Sequence, residues 1–227
     1  MWLIDSSIGR KLVMSITGVF LVLFLMFHSI MNIVVIISPK GYNIICEFLG
    51  ANWYATLGTL VLSAGFVIHI LYALFLSYLN MRARGSKGYA VSKNQKGVDW
   101  ASQNMLILGT IVVGFLALHL YNFWYKMQFV ELTGIQTTHT LGKAADGAYW
   151  VSQVFSSWVY CALYIVWLTA LWFHLTHGVW SAMQSLGLNN KTWLPRVKII
   201  SNIISTIVIL MFMSIPIYYL LGFGSRI

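Results

Sequence analysis

Residues 11–37 read KLVMSITGVFLVLFLMFHSIMNIVVII: beyond Lys11 there is no charged side chain, and a single histidine, His28, interrupts the run. A hydrocarbon core about 30 Å thick is crossed by roughly 20 apolar residues in an α-helix, which satisfies its own backbone hydrogen bonds where water cannot. An ionisable side chain inside such a stretch is costly and marks a candidate functional position. The run stops at Ser38-Pro39-Lys40-Gly41, which reads as a helix end followed by a turn.

Four more stretches of the same kind follow, at about 52–80, 101–125, 151–182 and 199–222. Of the 227 residues, 59% are hydrophobic and 8% charged, against roughly 25% charged in a soluble domain. The expected fold is an all-α membrane protein, one integral domain over 1–227 built as a five-transmembrane-helix bundle. The fourth span is the longest and is expected to tilt or project beyond the lipid, and Pro216 is expected to kink the fifth. Arg10 and Lys11 precede a run too long for the apolar region of a cleavable signal peptide. Cys46 and Cys161 carry no pattern of a disulfide or a thiolate metal site. No phosphate-binding loop, carboxylate pair, Ser/His/Asp constellation or internal repeat is visible.

Basic residues orient the chain. Ten of the fourteen lysines and arginines fall at the amino terminus and in the 81–100 and 183–198 loops. The positive-inside rule places these in the cytoplasm and, after five crossings, the carboxyl terminus outside. The net charge of +9 follows from this asymmetry and does not point to nucleic acid.

The first four spans carry one principal histidine each: His28, His69, His119 and His174. At about 1.5 Å per helical residue, His28 stands about 25 Å beyond Lys11 and His119 about 28 Å beyond Trp100. His69 stands about 20 Å above Arg82, and His174 about 20 Å above Gly187. Two ligands near one level and two near a lower one fit two bis-histidine b-type haems stacked across the membrane, since neutral imidazole is the usual axial ligand of haem iron. Gly18, Ala64, Gly65, Gly109 and Gly114 offer room for a planar group, although glycine also serves helix packing. Arg10, Lys11 and Ser15 are candidate partners for the propionates of the lower haem. The plainer alternative is that each histidine hydrogen-bonds across helices. His177, on the same face as His174, is read as meeting water or a propionate. His139, in the polar outer loop, is read as solvated.

These motifs resemble the single-polypeptide, di-haem cytochrome b membrane anchors of succinate:quinone oxidoreductases and quinol:fumarate reductases. The resemblance covers nearly the whole chain: Gly9-Arg10-Lys11 with Ser15 and Gly18, Phe27-His28 with Asn32, Ile68-His69 with Tyr72, Leu118-His119 before an aromatic cluster, and Phe173-His174 leading to Gly178-Val179-Trp180-Ser181. It implies axial pairs His28/His119 and His69/His174, the pairing that height suggests. It also implies partners: a flavoprotein subunit and an iron–sulfur subunit on the cytoplasmic face of a bacterial inner membrane. The 81–100 loop with Asp99 and Trp100 is the expected docking surface, and a solvated basic loop explains its charges equally well. Electrons would pass through the haems to a membrane quinone. Similar anchors place an acidic residue beside the quinone near the outer end of span one, which here is Glu47, with Asn43, Asn52 and Trp53 as neighbours able to bond or stack with the ring. An ordinary interfacial glutamate is the alternative for Glu47. Some relatives carry a proton-conducting glutamate two positions before the fourth-span ligand. Here Trp172 stands there, which favours menaquinone reduction by succinate over fumarate reduction of the proton-compensated type.

Two other readings compete. A di-haem anchor of another respiratory dehydrogenase shares the histidine pattern but fits five spans poorly. A transporter with a histidine proton or metal relay calls for acidic partners within the spans, and none lies well inside them.

Overall fold

The computed structural model describes residues 6–84, 100–135 and 143–224. Helix α1 (Ser7–Ile37) opens with the Ser6 hydroxyl accepting from the Gly9 N–H at 2.9 Å. It ends at Ser38, held extended because the following Pro39 disfavours helical backbone before it. The 38–41 segment is not simply a turn. Ser38 also accepts from the Gly41 N–H at 3.0 Å and so caps a second helix, α2 (Pro39–Phe48), which carries proline at its first position.

The second crossing is α3 (Trp53–Arg84). After a short turn α4 (Trp100–Gln103), α5 (Met105–His119) runs without a break into a π-helical segment, Leu120–Phe129, and then α6 (Val130–Thr133). Gly134, at φ +67°, ends this third crossing in the left-handed conformation that glycine adopts without strain. The expected fourth span at 151–182 is divided. α7 (Gly147–Phe155) stops at Ser156-Ser157, where Ser157 is extended, and α8 (Trp158–Ser185) starts anew. The length expected of one span is thus shared between two helices, with the 28-residue α8 as the crossing. α9 (Trp193–Leu220) is the fifth and keeps Pro216 within it.

Five helical stretches are thus long and apolar enough to cross a membrane, and no strand occurs among the described residues. This is a multi-pass, all-α membrane protein. α8 is the hub, packed against α9, α1 and α5, whereas α3 leans mainly on α1 and buries none of its most apolar stretch. The outer core gathers Tyr42 of α2, Ala148 and Phe155 of α7, and Tyr164 and Trp167 of α8. The inner core joins Leu171, Leu175 and Val179 of α8 to Ile209 of α9. Lipid is as apolar as leucine, so close approach through small residues, such as the buried Ser15, Ser29, Ser201 and Ser205, does much of the packing.

Candidate functional site

His28 of α1 and His119, the last residue of α5, meet at the outer level with ring centroids 6.0 Å apart and planes at 89°. An imidazole nitrogen binds a transition metal at about 2.0–2.1 Å, with the ring centre roughly 1.1 Å behind it, so two imidazoles on opposite sides of one ion stand about 6.3 Å apart. The observed centroid spacing is close to that value. Asn32, one turn after His28, lies with Nδ2 3.3 Å from His28 Nδ1 and donates to the His28 carbonyl at 2.7 Å. Its Oδ1 accepts from the buried Tyr42 hydroxyl of α2 at 3.0 Å. That chain braces one edge of the ring; because an amide nitrogen only donates, His28 Nδ1 accepts and its proton sits on Nε2, so ligation through Nε2 requires this contact to rearrange. His119 sits among Phe123, Trp167 and Tyr164, with Nδ1 buried and without a hydrogen-bond partner. A nitrogen left so is expensive as mere packing.

At the inner level, His69 Nδ1 lies 3.2 Å from the Thr17 hydroxyl of α1. That hydroxyl has one hydrogen, which it directs to the Val13 and Met14 carbonyls at 2.9 and 3.1 Å. With its hydrogen on either of those carbonyls the hydroxyl accepts from His69, an assignment in which Nδ1 carries the proton and the Nε2 lone pair is bare. This is the tautomer a metal ligand requires. His174 lies close enough to His69 and His177 to interact with both electrostatically, and its buried Nδ1 has no partner.

Glycines flank this inner pair. A Cβ at Gly18 of α1 would stand 3.5 Å from His69 Cε1, and one at Gly109 of α5 would stand 3.7 Å from His174 Cε1. Gly18 precedes His28 by ten residues, and Gly109 precedes His119 by ten. The inner pair thus lies about 15 Å below the outer one on both helices. The sequence-derived heights put the two levels only about 5–8 Å apart. They assumed that helix ends share a plane, yet α3 continues fifteen residues past His69 whereas α1 begins eleven residues before Gly18. The shared Gly-to-His spacing is the local repeat that the sequence reading missed.

The other candidates separate. Gly65 serves helix approach, since a Cβ there would strike the Phe20 ring, whereas Gly114 faces open space. Ser15 is buried just below Gly18, Arg10 is half-buried and Lys11 exposed, all toward the amino-terminal end of α1. His177 packs its ring edge-on with Trp180 at 4.9 Å. Near the outer end, Glu47 is exposed on α2, and Trp53 is exposed and edge-on to Tyr54. Asn43 is engaged elsewhere, donating to Asp146 Oδ1 and accepting from the Ala148 N–H, both at 2.8 Å, so it ties α2 to the start of α7. Asn52 donates to the Phe48 and Glu47 carbonyls. No hydrogen bond or ring contact joins Glu47, Asn43 and Trp53 among the described residues. A neighbour that the sequence reading did not weigh is Glu131 at the end of the third crossing, close enough to Glu47 to interact with its charge and bonded to the Ala51 N–H. Cys46 packs against Gly147, and burial pushes its thiol up to about 11. His139, Asp99 and nearly all of the 81–100 loop lie outside the described residues, while Trp100 packs edge-on against Phe173 at 5.1 Å.

No group of three or more histidine, cysteine, aspartate or glutamate side chains suited to a metal ion is gathered among the described residues. A metal held by two imidazoles completes its coordination with water or a cofactor, and two neutral imidazoles are a donor set that haem iron accepts. Comparison with protein-family models, with curated proteins and with solved structures finds no match.

Proposed function

We propose that this chain is the membrane-anchor cytochrome b subunit of a succinate dehydrogenase or fumarate reductase, passing electrons between an iron–sulfur subunit and a membrane quinone. The observation that carries the reading is the gathering of the four intramembrane histidines at two levels: His28 against His119, and His69 near His174. Haem b bound at each level supplies one-electron transfer at a potential tuned by its ligands and their hydrogen bonds.

The chain's own residues have separable tasks in this reading. His28 and His119 hold the outer group, and His69 and His174 the inner one. Thr17 fixes the His69 tautomer, and Asn32 with Tyr42 braces His28. Arg10, Lys11, Ser15 and His177 lie below the inner level, on the side where anionic propionates meet water. Glu47, exposed near the outer end, delivers protons to a quinone, with Trp53 stacking beside it. Trp172 holds no exchangeable acid and donates its indole N–H to Thr206 at 3.0 Å, which supports menaquinone as acceptor. A flavoprotein and an iron–sulfur subunit dock on the cytoplasmic face of a bacterial inner membrane.

Pyridine haemochrome analysis of the purified chain tests the proposal, with two protohaems per chain expected. His28→Ala and His119→Ala should each remove the same one of the two, leaving the low-spin spectrum of the other. A chain that stays colourless when produced with ample haem and its partner subunits refutes the assignment.

A further inference from the structure

α8 and α9 run antiparallel and leave a hollow between Thr169, Trp172, Thr206 and Met213, which meets at Thr206 a second, shallow hollow on α9 beside Asn202 and Ile203; together they form a shallow groove. Near its inner end the Lys198 ammonium rests 4.3 Å over the Trp180 ring. Midway, Trp172 bonds to Thr206. At the top, Thr169 faces Ile209 and Met213. On α9 the positions recur at helical spacing, Lys198, Asn202, Thr206 and Met213 forming one ridge, with Ile203 and Ile207 exposed alongside. From Asn202 to Met213 the groove rises about 16 Å, close to half of an apolar core about 30 Å thick. It therefore matches a single leaflet.

Charge sets its inner end. Lys191, Arg196 and Lys198 are exposed, and residues 147–227 contain no aspartate or glutamate to neutralise them. The Arg196 guanidinium lies 5.6 Å from the Trp193 ring centre, so both cations sit on tryptophans of the kind that mark a membrane interface. Asn202 follows Lys198 by one turn, a polar side chain where the lipid's head gives way to its tails.

We propose that this groove binds one anionic phospholipid of the cytoplasmic leaflet, its phosphate held by Lys198, with Arg196 on the adjoining face adding positive charge at the same depth, and an acyl chain laid from Asn202 to Met213. Two cations at the head favour an anionic over a zwitterionic lipid by about tenfold or more. The inference does not depend on what the histidines hold.

The test is native mass spectrometry of the full-length chain, purified in detergent, stripped of lipid and titrated with phosphatidylglycerol or phosphatidylcholine. One phosphatidylglycerol should be retained per chain, with about tenfold preference. Lys198→Gln combined with Arg196→Gln should abolish the preference. Ile203→Trp, which fills the groove and keeps both cations, should lower retention of either lipid. Equal binding of the two lipids, or unchanged phosphatidylglycerol retention in the double variant, overturns the proposal. If the double variant instead sheds copurifying proteins at constant phospholipid content, the patch docks protein and the proposal fails.

Discussion

Replacing Thr17 by valine keeps the side-chain volume but removes the oxygen that accepts from His69 Nδ1. A net hydrogen bond contributes about 0.5–1.5 kcal/mol, with roughly 0.6 kcal/mol the average for side-chain bonds between membrane helices. If the proposed haems are bound, the loss should weaken retention of the inner one by roughly 2- to 12-fold, since 1.4 kcal/mol is about tenfold. The sign of the redox effect follows from the same bond. An accepted Nδ1 proton makes the imidazole more basic and favours oxidised iron, so its removal should raise the midpoint potential of the inner haem. At about 59 mV per tenfold for one electron, the rise is about 20–65 mV. The assay is a potentiometric titration followed optically, together with haem content during dilution in detergent. Thr17→Ser restores the acceptor and should restore both values. A Thr17→Val protein with wild-type retention and an unshifted pair of midpoints would refute the tautomer argument, and a shift confined to the outer haem would refute the placement of His69.

The two glycines of the inner level should separate contact from clash: Gly18→Ala and Gly109→Ala place a Cβ at ordinary distance from the histidine rings and should leave both haems bound. Leucine at either position should reduce the stoichiometry from two haems to one. At the outer end, Gly147→Ala drives a methyl group into Cys46 Sγ and the Tyr42 ring, forcing α2 from α7. A loss of about 1–3 kcal/mol is expected, read as a lower melting temperature without a change of haem ligands. On the proposed function, Glu47→Gln should keep both haems and slow quinone turnover about a hundredfold, the low end of what a general acid contributes; full turnover would remove Glu47 from the quinone site.

Legibility differed between the crossings and their connections. The crossings were plain in the composition of stretches such as 11–37, because lipid leaves a single unpaired strand of chain no alternative to helix. Connections follow local chemistry that competes with the apolar signal. Ser38-Pro39 reads as a stop, yet the same serine starts α2. No charge, glycine or proline marks Ser156-Ser157, which hid the division between α7 and α8. The π-helical segment after His119 has no signature in residue type, although such segments often accompany functional sites.

The amino-acid sequence by itself determined the number of apolar crossings and the four histidines that no apolar helix needs, and its distribution of lysine and arginine carries an expectation for their direction. Only the tertiary structure decided which helix faces meet: Thr17 on His69, Asn32 and Tyr42 behind His28, Gly18 and Gly109 beneath the outer pair, and about 15 Å between the levels. The reason is physical. A helix apolar on all sides carries no amphipathic stripe to announce its inward face, so its rotation is set by close packing and a few interhelical hydrogen bonds that exist once the bundle has formed.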